Sequence, residues 1–262
     1  MKFLKFGKEM WDMSKTPPGV QLYTLRNEMQ TDFFGTLQKV ADMGYKIVEF
    51  VSFLYKDIPV NEIKQAMDRL GLRTVSTYIG WEELESDLHH QIEYAEVLGV
   101  RYITTGFPEE RFKDESSIQD VINSLKKIGK EVSRRGLQLL YHPHAHEYKF
   151  VGSKRIIDQL LEGVGTDLLK LELDLYWAKK GGLDPLKALI LYKDLSPLIH
   201  VKDMDKSGGF EDVGAGIINW PPIFRILKEI GVKNYFVERD TSPNPLESVK
   251  NSLDYLKSIK VA

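Results

Sequence analysis

Imidazole and carboxylate side chains gather in four short stretches of the second half of the chain. Residues 141–147 contain three histidines at alternate positions and end on a carboxylate. Residues 171–177, 198–203 and 235–240 each place ionisable residues inside or directly after an apolar run. Such a group is costly to bury unless something pairs with it. If the four stretches meet, a divalent cation would pair with the carboxylates and offset their mutual repulsion.

The residue types also narrow the chemistry of that site. Imidazole and carboxylate ligands suit Mn, Co, Zn or Mg, and Mg is the least suited to nitrogen ligands. The chain has no cysteine, which excludes thiolate metal sites, disulfides and cysteine nucleophiles together. The sequence therefore predicts one divalent metal ion as the cofactor.

Taken singly, these residues also have structural interpretations. Asp174 could cap a helix, His200 could be a hydrogen-bonded core histidine, and Glu238 could form an ion pair with a neighbouring cation. For Glu172 we favour a structural position inside the barrel wall. Alternate residues on a strand share a face, so the histidines of 142–146 would point together while the strand persists. Together, the cluster favours a site more strongly than any one residue does.

A recurring phrase along the chain predicts the elements that carry these residues. An amphipathic segment is followed by Gly and then by a short run rich in β-branched and aromatic residues, at Gly44, Gly71, Gly99, Gly136 and Gly231. Glycine after the last turn can close a helix in the left-handed conformation. The residues that follow favour a strand. Strands alternating with helices indicate parallel strands joined by crossovers.

Eight such units predict an α/β fold, a closed (β/α)8 barrel. An open doubly wound sheet is the alternative, but no G-x-G-x-x-G follows the first strand. The strand candidates are 19–24, 46–50, 73–78, 101–105, 137–142, 169–175, 198–202 and 234–238. The helix candidates are 32–43, 60–70, 83–98, 116–135, 153–162, 185–193, 220–230 and 245–258. We expect one barrel domain over residues 16–262, with residues 1–15 as an N-terminal extension packed across one end.

Length, composition and charge agree with that fold and exclude several classes of partner. The chain has 262 residues, and barrels of this type commonly have about 250. Its net charge of −2 gives no positive electrostatic field that would attract nucleic acid or an anionic membrane. No apolar run reaches the roughly 18 residues of a membrane span, and the first fifteen residues lack the apolar stretch of a signal peptide. We expect a cytoplasmic protein.

The strand ends also resemble those of a known family. The matching phrases are Val48-Glu49, Tyr141-His142-Pro143-His144 with Glu147, Leu173-Asp174-Leu175-Tyr176-Trp177, His200-Val201-Lys202-Asp203, Val213-Gly214-Ala215-Gly216 and Val237-Glu238-Arg239-Asp240. In combination they resemble the xylose isomerase-like barrels, often described as sugar phosphate isomerases/epimerases, which also include inosose dehydratases and ketose 3-epimerases. The resemblance covers nearly the whole chain. It implies a barrel enzyme with a small sugar or polyol substrate, and a homo-oligomer, because relatives are often dimers or tetramers.

The resemblance also implies a set of metal ligands. The family usually holds one divalent metal with a Glu from strand five, an Asp from strand six, a His from strand seven and a Glu from strand eight. Asp174, His200 and Glu238 match the last three. Many members carry the first carboxylate directly on the strand, and this chain does not. Glu147 is the nearby carboxylate and our prediction, with His142 as the alternative.

For the reaction, the resemblance implies proton transfer next to a carbonyl through an enediolate. The metal would polarise the carbonyl. His142 or His144 is the candidate base, because imidazole titrates near neutral pH. Glu238 and Glu147 are the paired-carboxylate alternative, in which the two exchange roles as acid and base. Lys202 or a histidine would supply the acid that a dehydration needs.

Substrate contacts are predicted from the first, second and sixth strands. Gln21, Tyr23 and Arg26 would bind hydroxyls, and Glu49 is assigned to the substrate as well. Trp177 would stack on a sugar face or cover the top of the barrel. The glycine-containing loop after strand seven lies where barrels often hold phosphate, but no nest of lysines or hydroxyls accompanies it, so a phosphorylated substrate is not favoured.

Among functions, the sequence favours a metal-dependent isomerase or epimerase, and a dehydratase of the inosose dehydratase type is the alternative. A sugar-binding barrel without catalysis is less favoured, because a binder has no need of a metal. An abasic-site endonuclease-like protein is also less favoured. Such a nuclease needs many histidines for three zinc ions and a basic face for the duplex, whereas this chain has six histidines and a negative net charge.

Overall fold

The computed structural model describes residues 17–261 and contains a closed barrel of eight parallel strands. The first strand pairs with the second on one side and with the eighth on the other, which closes the barrel. The predicted fold class is therefore confirmed. In chain order the barrel strands are Gly19–Gln21, Ile47–Val51, Arg73–Tyr78, Tyr102–Thr105, Gln138–Tyr141, Leu169–Asp174, Leu198–Val201 and Asn234–Val237.

Helices connect consecutive strands. All five glycines of the recurring phrase have a positive φ, as expected for residues that close a helix. The helices of the described chain are Arg26–Thr31, Phe33–Met43, Ser52–Tyr55, Val60–Leu70, Trp81–Ser86, Leu88–Leu98, Glu115–Arg134, Ile156–Val164, Leu175–Lys180, Pro185–Tyr192, Trp220–Ile230 and Pro245–Ser258. The apolar residues of the long seventh helix are buried, which is the periodic pattern of an amphipathic helix on a sheet.

Three local features differ from the expectation. The first strand is shorter, because Leu22–Leu25 forms a 3-10 turn whose start is capped by the Gln21 side chain, which accepts from the Tyr23 amide. Two short hairpins were not predicted. One pairs Phe150–Val151 with Lys154–Arg155, and the other pairs Asp203–Met204 with Phe210–Glu211. Strands of two residues are too short to show a period in the sequence.

The barrel interior has two layers. The lower layer, toward the amino ends of the strands, is apolar, and the upper layer, toward their carboxyl ends, is polar. Side chains at alternate strand positions share a face. An apolar layer fills the lower interior through Ile47, Leu140, Leu198 and Phe236. Two positions further along the same strands stand Glu49, His142, His200 and Glu238. The polar layer therefore rests directly on a closed apolar floor.

The predicted extension of residues 1–15 lies outside the described residues. Among residues 17–261, none of the helices combines the length and apolarity of a bilayer span.

Candidate active site

His200 stands at the centre of the polar layer, between two pairs of carboxylates. Its Nδ1 lies 2.8 Å from Oε2 of Glu238 and 3.9 Å from Oδ2 of Asp174. Its Nε2 lies 2.8 Å from Oε2 of Glu49 and 3.4 Å from Oε2 of Glu172. We call Asp174 and Glu238 the rim pair, because they lie nearer the carboxyl ends of the strands, and Glu49 and Glu172 the deep pair.

A buried lysine compensates the negative charge of the rim pair. Nζ of Lys202 lies 3.1 Å from Oδ2 of Asp174, 2.7 Å from Oε2 of Glu238 and 2.6 Å from Oδ1 of Asp240. Burial alone would lower the pKa of Lys202, but these carboxylates raise it well above its usual value, so the ammonium keeps its charge. Burial would raise the pKa of Glu238, but Lys202 and His200 hold it well below its usual value. Glu238 is therefore ionised.

The deep pair has no such cation of its own. Burial and the neighbouring Glu49 raise the pKa of Glu172 well above its usual value, so this carboxyl keeps its proton near neutral pH. The Gln21 amide donates to Oε2 of Glu49 at 2.9 Å and holds that side chain against the ring of His200. Glu172 thus holds a proton, and Glu49 orients the imidazole of His200.

His142 completes the group on the side of strand five. Its ring centroid lies 4.7 Å from that of His200, and its Nδ1 lies 3.2 Å from Oε2 of Glu172. Burial and the proximity of His200 lower the pKa of His142 well below its usual value, so the imidazole is neutral. One ligand atom from each of His142, Asp174, His200 and Glu238 lies within 4.8 Å of the other three.

These four side chains fit a divalent cation. Oδ2 of Asp174 is buried and makes no hydrogen bond within the described chain, although Lys202 lies near it. A neutral His142 is in the protonation state that metal binding requires. Burial would lower the pKa of His200, but Glu172 and Glu238 raise it well above its usual value, so a metal ion would replace a proton on this ring. Two nitrogens and two oxygens form a donor set that suits Mn, Co or Zn.

Glu147, the predicted strand-five ligand, lies outside this group. Its Oε1 accepts from the Tyr141 hydroxyl at 2.6 Å and lies 3.0 Å from Nε2 of His146, and its Oε2 accepts from the His144 amide at 2.8 Å. Tyr141 alternates with the inward-facing His142, so Glu147 is held on the outer side of the strand. Of the two strand-five ligands considered, the structure brings His142 into the cluster.

A cavity of about 460 Å³ opens above the rim. Gln21, Tyr23, His144, Lys202 and Glu238 are among its lining residues, as predicted for the site. Burial lowers the pKa of His144, which makes this imidazole a neutral group facing the cavity. The cavity therefore combines a neutral base, a charged ammonium and the carboxylates of Glu238 and Asp240.

Three predicted substrate contacts lie elsewhere. The Arg26 guanidinium lies 4.3 Å above the Tyr23 ring and donates to the backbone oxygens of Tyr23 and Asp240, so it braces the wall from behind. Glu49 is fully buried beneath His200. Trp177 lines an adjoining groove instead of the cavity itself. These positions give the three residues no direct access to a ligand in the cavity.

Sequence reasoning missed other lining residues, among them Asp240, Tyr78 and Trp81. Asp240 stands two positions after Glu238, so alternation along the strand could have indicated it. Tyr78 ends strand three, and its ring packs edge-on against His142. No sequence signal marks Trp81, which begins a helix of the loop after that strand.

The glycine-containing loop after strand seven is organised by Asp203. This buried carboxylate accepts from the amides of Met204, Gly214 and Ile218 and from the Trp220 indole. A Cβ at Gly216 would lie 2.2 Å from Oδ1 of Asp203, and Gly214 has a φ of +91°. The loop amides therefore bind this carboxylate, and the glycines allow the close approach.

Comparison with known proteins places the chain among sugar-related barrels. An inosose dehydratase of Clostridium botulinum (strain Alaska E43 / Type E3) is 22% identical over 271 residues, covering 87% of this chain and 90% of that protein. An inosose dehydratase of Mesomycoplasma hyopneumoniae (strain J / ATCC 25934 / NCTC 10110) is 23% identical over 297 residues, covering 96% and 98%. The crystal structure of a sugar phosphate isomerase/epimerase from Parabacteroides distasonis ATCC 8503 superposes with a TM-score of 0.79 at 25% identity, covering 92% of this chain and 93% of that chain.

The family model described as xylose isomerase-like TIM barrel matches residues 37–259. That range includes seven of the eight barrel strands and every member of the rim and deep pairs. The chain belongs to the xylose isomerase-like TIM barrel family.

Proposed function

We propose that this protein is a divalent-metal-dependent isomerase or epimerase that moves a proton next to the carbonyl of a sugar or polyol-like substrate. The observation that carries the proposal is the convergence of His142, Asp174, His200 and Glu238 within 4.8 Å beneath a cavity large enough for a sugar. The family supports it, because relatives of this chain are named as enzymes of sugars and inososes.

The four convergent side chains would hold the metal. Once bound, the ion would supply Lewis-acid polarisation of the substrate carbonyl and its neighbouring hydroxyl. Glu49 would accept the Nε2 proton of His200 and so leave Nδ1 with a free lone pair facing the rim. Such a carboxylate behind a ligating histidine fixes the tautomer and the ring orientation.

His144 is our candidate for the base. It faces the cavity, lies outside the metal group and is neutral, so it can accept a proton from the substrate. The C–H bond would break, the proton would pass to His144, and the electron pair would form an enediolate. Return of the proton to the neighbouring carbon, with the hydroxyl proton passing between the two oxygens, gives the isomer. Delivery of a proton to the opposite face of the same carbon by a second donor gives the epimer. The paired-carboxylate alternative loses support, because Glu147 is held by Tyr141 and His146.

A dehydratase is the second candidate, favoured by the position of Lys202. Its ammonium lines the cavity and is held charged beside Asp240. It can protonate a hydroxyl on the carbon next to the enediolate, so that the C–O bond breaks and water leaves. The curated relatives named inosose dehydratase agree with this route.

The metal is tested first, by mass spectrometry of the protein purified without added metal and again after Mn, Co or Zn loading. We expect one ion per chain in the wild type and none in Asp174→Asn. Asp184→Asn is the matched control, because Asp184 also caps a helix but on an exposed surface. Equal metal content in wild type and Asp174→Asn would contradict the proposed ligand set.

The reaction is tested by nuclear magnetic resonance in deuterated water with ketoses and inososes. Deuterium at a carbon next to the carbonyl, without loss of water, indicates isomerisation or epimerisation. Formation of an unsaturated or deoxygenated ketone indicates dehydration. Absence of exchange with every sugar, despite full metal loading, would favour a binding protein.

A further inference from the structure

A groove continues from the cavity on the side of His144. It has a volume of about 540 Å³ and shares the lining residues Tyr78, Trp81 and His144 with the cavity. The two spaces are therefore neighbours across one wall of three side chains. Cavity and groove together exceed what a single sugar ring can fill, since pockets of about 300–1,000 Å³ hold drug-sized ligands.

The groove is lined by aromatic rings. The rings of Trp81 and Phe107 are stacked with centroids 5.4 Å apart, and the Arg111 guanidinium lies 4.4 Å from the Trp81 ring centroid. Trp177 packs edge-on against His144 at 5.1 Å. The indole nitrogen of Trp177 is buried and makes no hydrogen bond within residues 17–261. Rigid aromatic faces with a free donor suit a ring that has an apolar face and a polar edge.

We propose that the substrate is a sugar that carries a second ring, with the reacting ring above Glu238 and Lys202 and the second ring in this groove against Trp81. This inference rests on the proposed function for the identity of the first ring only. His144, our candidate base, stands in the shared wall and would face the bond that joins the two rings. The second ring would therefore position the reacting carbon as well as add affinity.

The test compares methyl and phenyl β-D-glucopyranoside by calorimetry with the metal-loaded protein. We expect the phenyl glucoside to bind on the order of tenfold more tightly, since one aromatic contact contributes about 0.5–1.5 kcal/mol beyond its buried area. Trp81 lines both the cavity and the groove, so the ratio of the two affinities is the readout, and Trp81→Ala should reduce that ratio below threefold. Ala145→Phe, which fills the groove from a partly exposed position, should do the same if Trp81→Ala fails to fold.

Phe53→Ala is the matched control. Phe53 is an aromatic residue that lines the cavity but not the groove, so its loss should leave the phenyl preference intact. A ratio near one in the wild type, or a ratio that survives both groove variants, would overturn the proposal. Metal content and deuterium exchange are measured separately, so a failure of the proposed function is distinguishable from a failure of the groove.

Discussion

The two sides of His200 carry the same kind of group in opposite states. On the rim side, Asp174 and Glu238 face the ammonium of Lys202, and Glu238 is ionised. On the deep side, Glu49 and Glu172 face the rings of His200 and His142 and the Gln21 amide but no lysine, and Glu172 keeps a proton. Proximity of carboxylates alone therefore does not define a cation site. The difference lies in the neighbouring positive charge and in access to the cavity.

The largest expected effect is at Glu238. We expect Glu238→Gln to lower kcat/KM by about 10³-fold, because a ligating carboxylate that supports several kcal/mol of charge stabilisation is lost. Metal content and deuterium exchange are the measurements. Glu247→Gln, an exposed carboxylate of the last helix, is the control. Full activity of Glu238→Gln would remove the functional distinction between the two pairs.

Next in size is Lys202. Lys202→Met leaves the buried carboxylates of Asp174 and Glu238 and the half-buried Asp240 facing one another, and removal of one partner of a buried ion pair costs about 3–5 kcal/mol. Urea unfolding of the metal-free protein should show this loss, and added Mn should recover part of it by replacing the missing positive charge. Lys180→Met, at an exposed lysine, should change stability little. A variant as stable as the wild type without metal would contradict the compensation that we describe.

A smaller effect is expected at Glu49, whose role is to orient His200. Glu49→Leu should weaken metal binding by about 10–100-fold, the usual cost of losing a carboxylate behind a ligating histidine. Glu49→Gln keeps an oxygen acceptor for Nε2 and should retain most of the affinity. Titration with a competing chelator measures both variants. An equal loss of metal affinity in Glu49→Leu and Glu49→Gln would mean that the charge of Glu49 supports metal binding and its hydrogen bond does not.

The smallest effect is expected at Glu172, measured in acid. An amide imitates a protonated carboxyl, so below about pH 4, where the folded and the unfolded chain both carry this proton, Glu172→Gln should change stability by no more than about 1 kcal/mol, the net value of one hydrogen bond. As the pH rises, the unfolded chain releases the proton at its ordinary pKa while the folded protein keeps it up to its raised pKa, so the wild type loses stability, whereas the variant does not titrate. Unfolding by urea between pH 5 and pH 9 should therefore show a gain of the variant over the wild type with increasing pH. Parallel pH profiles would contradict a protonated Glu172.

The fold and the convergence of the strand ends could be predicted from the sequence. Alternation along each strand places His200 and Lys202 on one face, and the closed barrel brings them to Asp174 and Glu238. Both relations follow from the two-residue period of a strand and from the order of the strands in the barrel. The sequence pattern predicts both.

The position of Glu147 could not be predicted, because it depends on the course of a loop. Strand five ends at Tyr141, and the chain then turns through the short helix His146–Tyr148. That turn returns Glu147 to the hydroxyl of Tyr141, a contact between side chains that no periodicity describes. Trp177 is a similar case, since the helix Leu175–Lys180 starts directly after Asp174 and carries it away from the interior.

The apolar layer of Ile47, Leu140, Leu198 and Phe236 has a consequence for exchange with solvent. Because it seals the interior from below, an ion and a sugar bound as proposed would have to enter and leave through the same opening. A bound sugar would then block this opening. A chelator would therefore remove the metal more slowly from the sugar-bound protein than from the sugar-free protein.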